Sequence, residues 1–368
     1  MKGLVDASSR FFGGGLIRLA LGGMALGVVA LLAGVAVGRV PATLGALCSA
    51  WLFFAGLAAG GVAISATMRT AQGSWADQII PVAEAASAFL APSLGILVIL
   101  LGTARLWMPG LAAEGVGTWL SLSARVLLSA VVLLVAARRY LESARAGSAT
   151  ATRDGIVYLI VYVAALTLWA IDLVMGLMPW APSTVIPPLY FCGAFLTAVA
   201  WSALITSARA LGAAPGEAPT EDEGSDLAKV LFGLSIFWFY LVWSGFLPVW
   251  YANMPEETGL LLARWEGGFK PVTLAVIAAV FVVPFWTLMP GSAKRRPARV
   301  AFGAACIFAG MMGERFLLVL PSLDSHGSWP AIAGLGISAG LLGAFVITAG
   351  AELDGRRAIT TQAARSGT

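Results

Sequence analysis

Charge is what this sequence is shortest of. Only 11% of its 368 residues are Asp, Glu, Lys or Arg and 59% are hydrophobic, whereas an average water-soluble domain carries about 25% charged residues. So little charge does not cover a folded surface in water, which excludes a water-soluble globular domain. Histidine is nearly missing as well, with His326 the single one. A b-type haem held between helices needs paired axial histidines, so the chain is expected to bind no haem of its own. Cysteine is equally scarce. Cys48, Cys192 and Cys306 are far apart with no CxxC spacing, which argues against a disulfide, an iron–sulfur cluster or a zinc site.

Long apolar runs fill the space that charge leaves. The mean hydropathy is +0.87, and the runs reach the roughly 20 residues that cross ~30 Å of hydrocarbon. They predict about ten transmembrane helices, near 17–38, 42–68, 79–103, 118–137, 156–178, 184–208, 228–250, 271–290, 298–320 and 330–351. The fold class expected is therefore an all-α polytopic membrane protein. The first span follows Lys2 and Arg10 with no small-residue cleavage site, and reads as a retained helix rather than a signal.

Basic residues set the expected orientation. With ten spans, sixteen Lys and Arg fall on the side of the termini and four (Arg39, Arg105, Arg264, Lys270) on the other. Positive charge is retained on the cytoplasmic side, so both termini are expected there. The net charge of +4 is then a topology signal and not a nucleic-acid footprint.

Ionisable groups inside the spans are the candidate functional residues, because burying them in a bilayer is costly. Asp172 lies in WAIDLVMGLMPWAPST, and Glu314 in MMGERFLLVLP. Each precedes a proline by seven residues, Pro179 and Pro321. Each sits ~24 Å from the cytoplasmic start of its helix at 1.5 Å per residue. Glu84 sits ~8 Å inside the cytoplasmic end of the third span, between Pro81 and Pro92. Tyr158 and Tyr162 are one turn apart between the inner surface and Asp172; they read either as part of a water chain or as aromatic packing. Arg125 and Arg315 are the candidate charge partners, either neutralising carboxylates permanently or tuning a proton site. His326 is placed in an outer loop, as a surface histidine or as part of a quinone site.

Two short matches suggest internal duplication. Phe54-Ala55-Gly56 pairs with Phe191-Cys192-Gly193, and Asp172 with Glu314. Helices 2–5 and 6–9 are thus expected to be two four-helix bundles related as a repeat, flanked by helices 1 and 10. The divisions are 1–40 (peripheral helix), 41–180 (first bundle), 181–322 (second bundle) and 323–368 (last helix and cytoplasmic tail). An acidic linker, 209–226, holds Glu217, Glu221, Asp222, Glu223 and Asp226 and reads as a solvated cytoplasmic loop. Taken without any family, repeated spans with buried acids also fit a secondary transporter, although the prolines and carboxylates cluster toward the faces rather than the midplane.

Several stretches together resemble the NrfD/polysulfide-reductase-like membrane subunits, and among them the second large membrane subunit (ActF-type) of alternative complex III. They are WLFFAGLAAGGV, WADQIIPVAEAASAFLAP, AIDLVMGLMPW with Ser183-Thr184, LYFCGAF, FWFYLVWSGFLPVWYANMPEET followed by Arg264, and VPFWTLMP with Lys294, Arg295 and Pro297. The likeness spans about residues 45–321, and WYANMPEET is its most specific part. It implies an integral membrane subunit of a respiratory or photosynthetic quinol:electron-acceptor oxidoreductase in a bacterial inner membrane. Such a chain binds no cofactor and has no autonomous active site; it scaffolds the complex and contributes a transmembrane proton path. Haem c and iron–sulfur clusters would sit on partners, and menaquinol or another quinol would be the substrate of the complex. The implied partners are a sister NrfD-like (ActC-like) membrane subunit, an iron–sulfur subunit, multihaem cytochrome c subunits, small membrane subunits and the lipid bilayer, with no nucleic acid.

By that resemblance Asp172 matches the family's acidic helix-end position. Gly176 replaces the usual serine, and Met178 and Trp180 stand where an acidic residue and a histidine are expected. The proton path expected is Asp172, Glu314, Glu84, Tyr158 and Tyr162. The alternative within the family is a chain that itself binds quinol, using Arg125, Asp172 and His326.

Overall fold

The computed structural model describes residues 2–73, 79–178, 183–212, 221–254, 258–265, 268–323 and 328–366, and no strand occurs among them. Ten of the described helices are long and apolar enough to cross a membrane: α1 (Gly14–Ala36), α2 (Val40–Thr70), α3 (Ile80–Gly102), α4 (Val116–Arg145), α5 (Ala151–Leu177), α6 (Ile186–Gly212), α7 (Gly224–Tyr251), α8 (Lys270–Leu288), α9 (Pro297–Ser322) and α10 (Ile332–Arg356). The chain is an all-α polytopic membrane protein. Each expected span falls on one of these helices.

The molecule is built around α2. Every residue from Ala42 to Ala66 is buried, which its small side chains permit: glycine and alanine let neighbouring backbones approach closely, the main source of helix adhesion within lipid. A Cβ added at Gly60 would stand 2.6 Å from the Ala194 carbonyl oxygen of α6, and one at Gly61 would collide with the Ala83 carbonyl of α3.

Around this centre the helices form two rings. In the first, α2, α3, α4 and α5 each pack on the next and α5 returns to α2; α6, α7, α8 and α9 close the second in the same way. Contacts between the rings join α2 to α6, α2 to α9, α5 to α6 and the start of α3 to α6; the first three form a set that maps onto itself when the rings are exchanged. Four spans per ring give both the same orientation, as in a parallel repeat. Of the matched Phe-x-Gly triplets, Gly56 faces Ala194 at the α2–α6 contact and Gly193 faces Met311 and Arg315 of α9.

Outside the rings, α1 packs on α10 through glycines. A Cβ at Gly27 would come within 2.7 Å of the Gly340 Cα, and one at Gly336 within 2.7 Å of Ala30 Cβ. The peripheral helix expected over residues 1–40 is in fact two helices. Gly13, at φ 86°, breaks the chain between Lys2–Phe12 and α1, a backbone conformation that glycine adopts without steric cost. The Lys2–Phe12 helix lies against α10, with Ser8 Oγ donating to the Val346 carbonyl and Arg10 paired to Asp354 at 2.9 Å.

The linker expected over 209–226 is also shorter than read. α6 continues to Gly212, and the helix that contains α7 begins at Glu221. Asp226, the last acid of the expected linker, lies inside that helix and pairs with Lys229 at 2.7 Å. Residues 213–220, including Glu217, lie outside the described residues.

Two prolines shape the helices locally. Proline cannot donate to the carbonyl four residues before it, and its ring crowds that carbonyl. Ahead of Pro92, α3 tightens into a 3₁₀ turn over Ala86–Phe89. Ahead of Pro284, α8 widens into a π turn over Ala278–Val282, and the Val280 carbonyl takes the Ser235 hydroxyl of α7 at 2.5 Å.

Candidate functional site

Three buried carboxylates lie within the spans, each fixed differently. Asp172 sits in a π turn, Ala170–Val174, near the end of α5; such single widened turns recur at functional sites. Its Oδ1 and Oδ2 accept Arg125 Nη2 at 2.8 Å and Arg125 Nε at 3.2 Å. This two-pronged bond ties α4 to α5. Asp172 is buried, while half of the Arg125 side chain is exposed.

Glu314, at the matching place on α9, has another partner. Its Oε2 accepts Arg315 Nη1 at 2.6 Å, while its Oε1 is buried with no hydrogen-bond partner. Arg315 is 1% exposed. Its Nη2 donates to the Tyr190 carbonyl at 3.1 Å and its guanidinium lies 4.5 Å from the Tyr190 ring centre. Gly193 makes room for it, since a Cβ there would be 2.8 Å from Nη2.

Glu84, at the start of α3, lies at the arginine-rich end. Its Oε1 accepts Ser65 Oγ at 2.5 Å and its Oε2 accepts Arg356 Nη1 at 2.8 Å.

Between Glu84 and Glu314 runs a line of buried hydroxyls. Ser65 Oγ meets Tyr140 OH at 2.8 Å. The Tyr140 and Tyr158 rings lie 6.3 Å apart, as do those of Tyr158 and Tyr162. Tyr158 OH donates to the Ala59 carbonyl at 2.7 Å and Tyr162 OH to the Phe191 carbonyl at 2.6 Å. The next carbonyl of α6, that of Tyr190, is the one Arg315 holds, and Tyr190 OH donates to the Leu52 carbonyl at 3.0 Å. Ser65, Ala59 and Leu52 mark the rise of this line along α2, ~20 Å at 1.5 Å per residue. It starts within the first ring and crosses to the second at the Tyr162–Phe191 bond.

The line ends at a cavity of about 310 Å³ between α6, α7, α8 and α9. Its walls are mostly apolar, with Leu241, Val276 and Trp238 among them; Ser183, Thr184, Ser244, Thr273, Glu314 and Arg264 supply the polar groups. Arg264 comes from the short helix Gly259–Trp265 between α7 and α8. It donates Nε to the Leu317 carbonyl at 3.1 Å, and its buried Nη2 has no hydrogen-bond partner. Two unsatisfied groups of opposite charge therefore share one apolar chamber, each forgoing the hydrogen bond that would offset its burial. The chamber has the volume of about ten waters at ~30 Å³ each, and it is as large as the smaller ligand pockets.

Of the residues expected from sequence, Glu84, Tyr158, Tyr162, Glu314 and Arg315 come together along this line. Asp172 and Arg125 form their own pair between α4 and α5. His326 lies outside the described residues. Ser65, Tyr140, Tyr190 and Arg264 were not singled out as members. Arg264 reads from sequence as a loop charge; its place directly after the WYANMPEET stretch was the available signal. The described residues contain no group of three or more His, Cys, Asp or Glu arranged to hold a metal ion. No protein-family model matches the chain, and no curated protein matches it.

Proposed function

We propose that this chain is a membrane subunit that conducts protons between Glu84 and Glu314 within a quinol:electron-acceptor oxidoreductase. What supports the conduction is one observation: buried tyrosine and serine hydroxyls, each hydrogen-bonded, are set one after another beside α2 between two intramembrane carboxylates. An ionisable residue inside a bilayer marks a pathway more often than it serves packing. Glu84 takes up protons from the arginine-rich face, which the positive-charge bias makes cytoplasmic in a bacterial inner membrane. Tyr140, Tyr158 and Tyr162 hold the middle of the route, and Glu314 releases protons into the cavity beside it. The Asp172–Arg125 pair clamps α4 to α5 and stands off the route.

The place in an electron-transfer complex rests on the family resemblance. Quinol would be the substrate of the complex, haem c and iron–sulfur clusters would belong to partner subunits, and the second membrane subunit would pack against this one. A second reading, quinol bound by this chain, is favoured by the unpaired Glu314 Oε1 and Arg264 Nη2 in an apolar chamber. They would offer an acceptor and a donor to one ring. In that reading the quinol lies at the Glu314 cavity and not at Arg125 and Asp172.

The test is proton translocation per electron by the assembled complex in proteoliposomes. Glu84→Gln and Glu314→Gln are expected to lower it by about tenfold or more while quinol oxidation continues; Asp172→Asn leaves it near wild type. Normal translocation by an intact Glu84→Gln complex would overturn the conduction reading. Loss of quinol oxidation itself in Glu314→Gln and Arg264→Gln would favour the second.

A further inference from the structure

We infer that the groove between α4 and α5 at the arginine-rich face binds an anionic phospholipid, with an acyl chain between the helices and the phosphate held by Arg139 and Arg153. The site stands apart from the route between Glu84 and Glu314 and does not depend on the conduction reading.

The groove has a volume of about 400 Å³, within the range of small-molecule sites. α4 lines it with Val131, Val135 and Arg139, and α5 with Arg153, Val157 and Val161. Residues four apart share one face of a helix, and these two consecutive spans run in opposite directions. Two valines on each helix therefore lead to an arginine at the same end of the groove. Val131 to Arg139 is eight residues, ~12 Å at 1.5 Å per residue, against ~15 Å for half of a ~30 Å hydrocarbon core. The apolar part thus has about the depth of one leaflet, and the cationic end reaches that leaflet's headgroups. Val135 and Val157 stay 53% and 48% exposed, so the chain does not cover the groove itself.

Charge at the rim selects the occupant. Arg139 is exposed and makes no ion pair among the described residues. Arg153 is 69% exposed at its side chain, while that of Asp154 is 14% exposed. Asp154 accepts Thr150 Oγ1 at 3.2 Å and Arg153 Nη2 at 3.4 Å, so its charge is spent within the start of α5. Arg138 is exposed beside Arg139; these three arginines outnumber Asp154 and Glu142, the acids of the same helix ends. A guanidinium matches a phosphate through parallel N–H donors, and its aliphatic stem lies along apolar surface while the charge reaches the headgroup layer. Basic pockets between transmembrane helices bind anionic headgroups in this way. A partner's transmembrane helix fits less well, because it rarely carries an anion inside the bilayer, whereas every phospholipid brings a phosphate to this depth.

Native mass spectrometry of the purified full chain counts the lipid it retains when dioleoyl phosphatidylglycerol or dioleoyl phosphatidylethanolamine is added in detergent. One phosphatidylglycerol is expected to be held about fivefold or more tightly than phosphatidylethanolamine, since each basic side chain near a membrane surface contributes about that factor toward anionic lipid. Arg139→Gln and Arg153→Gln each lower its retention about fivefold, and Arg139→Lys keeps most of it. Val135→Phe narrows the groove without changing charge and lowers retention too. Arg105→Gln removes an exposed arginine beyond the far end of α3 and leaves retention unchanged.

Equal retention of the two lipids, or a loss in Arg105→Gln matching that in Arg139→Gln, overturns the proposal, because net charge and not a site would then be at work. Displacement of the lipid by glycerol 3-phosphate overturns it as well, since a free phosphate would then suffice without the acyl chain. So does a cross-link from Val135→Cys to another membrane subunit in native membranes, which would put a protein helix in the groove. Arg139 has no ion pair to lose, so Arg139→Gln tests the site without disturbing the packing of α4 on α5.

Discussion

Replacing Arg315 by methionine removes the most deeply buried cation among the described residues and leaves Glu314 next to an apolar side chain. The structure sets the cost. Arg315 is 1% exposed, its ion pair with Glu314 is 2.6 Å long, and Glu314 Oε1 has no other hydrogen bond. An orphaned buried charge costs ~3–5 kcal/mol, so Arg315→Met is expected to lose about that much unless Glu314 takes up a proton. Glu314→Gln removes the other half of the pair and leaves Arg315 on the Tyr190 carbonyl and ring, which retains part of its compensation. The double variant, Glu314→Gln with Arg315→Met, removes both ions of the pair and leaves Arg264 as the charge beside the cavity. It should therefore be more stable than the sum of the single losses predicts, by a coupling of ~2–3 kcal/mol. Unfolding by SDS in mixed micelles, followed through tryptophan fluorescence, measures all four corners. Trp51 and Trp169 report on the core, with ring centres 4.8 Å apart. Single losses that add to within ~0.5 kcal/mol would refute the reasoning, since they would mean that the two side chains are stabilised separately.

Gly27→Leu is expected to push α1 away from α10, because the glycine backbones leave no space for a Cβ; the cost of such overpacking is ~1–3 kcal/mol. Stability in the same micelle unfolding assay should fall by that amount, and an unchanged stability would mean that the helices do not meet there. Ser235→Ala should cost ~1–3 kcal/mol by leaving the Val280 carbonyl without its hydroxyl. In the same micelle unfolding assay, a loss no larger than for Ser121→Ala, an exposed control, would show that the carbonyl finds another donor.

The depths of Asp172, Glu84 and Glu314 were readable as residue counts from helix ends, because a helix advances by a constant rise. The Arg125–Asp172 pair was readable too, since two unlike charges at one depth on consecutive helices have strong reason to meet. Tyr140 escaped notice because it lies among Arg138, Arg139 and Arg145, in what composition marks as a surface segment. Arg356 was read as one of many topology charges, yet its partner Glu84 is 272 residues away. Nothing local distinguishes it from Arg357.

Hydropathy by itself determined that this is a membrane protein, how many helices cross, and which end of each is rich in arginine. Those properties depend on the transfer of short segments from water to lipid, and that energy sums along the chain. Only the tertiary structure decided which carboxylate meets which arginine, that Glu84 and Glu314 lie along one line while Asp172 does not, and that Arg264 folds back over α9. These follow from how each helix is turned about its own axis and which helices are neighbours. Both are set by close packing of small residues such as Gly56, Gly60 and Gly193, to which a hydropathy scale assigns almost no weight.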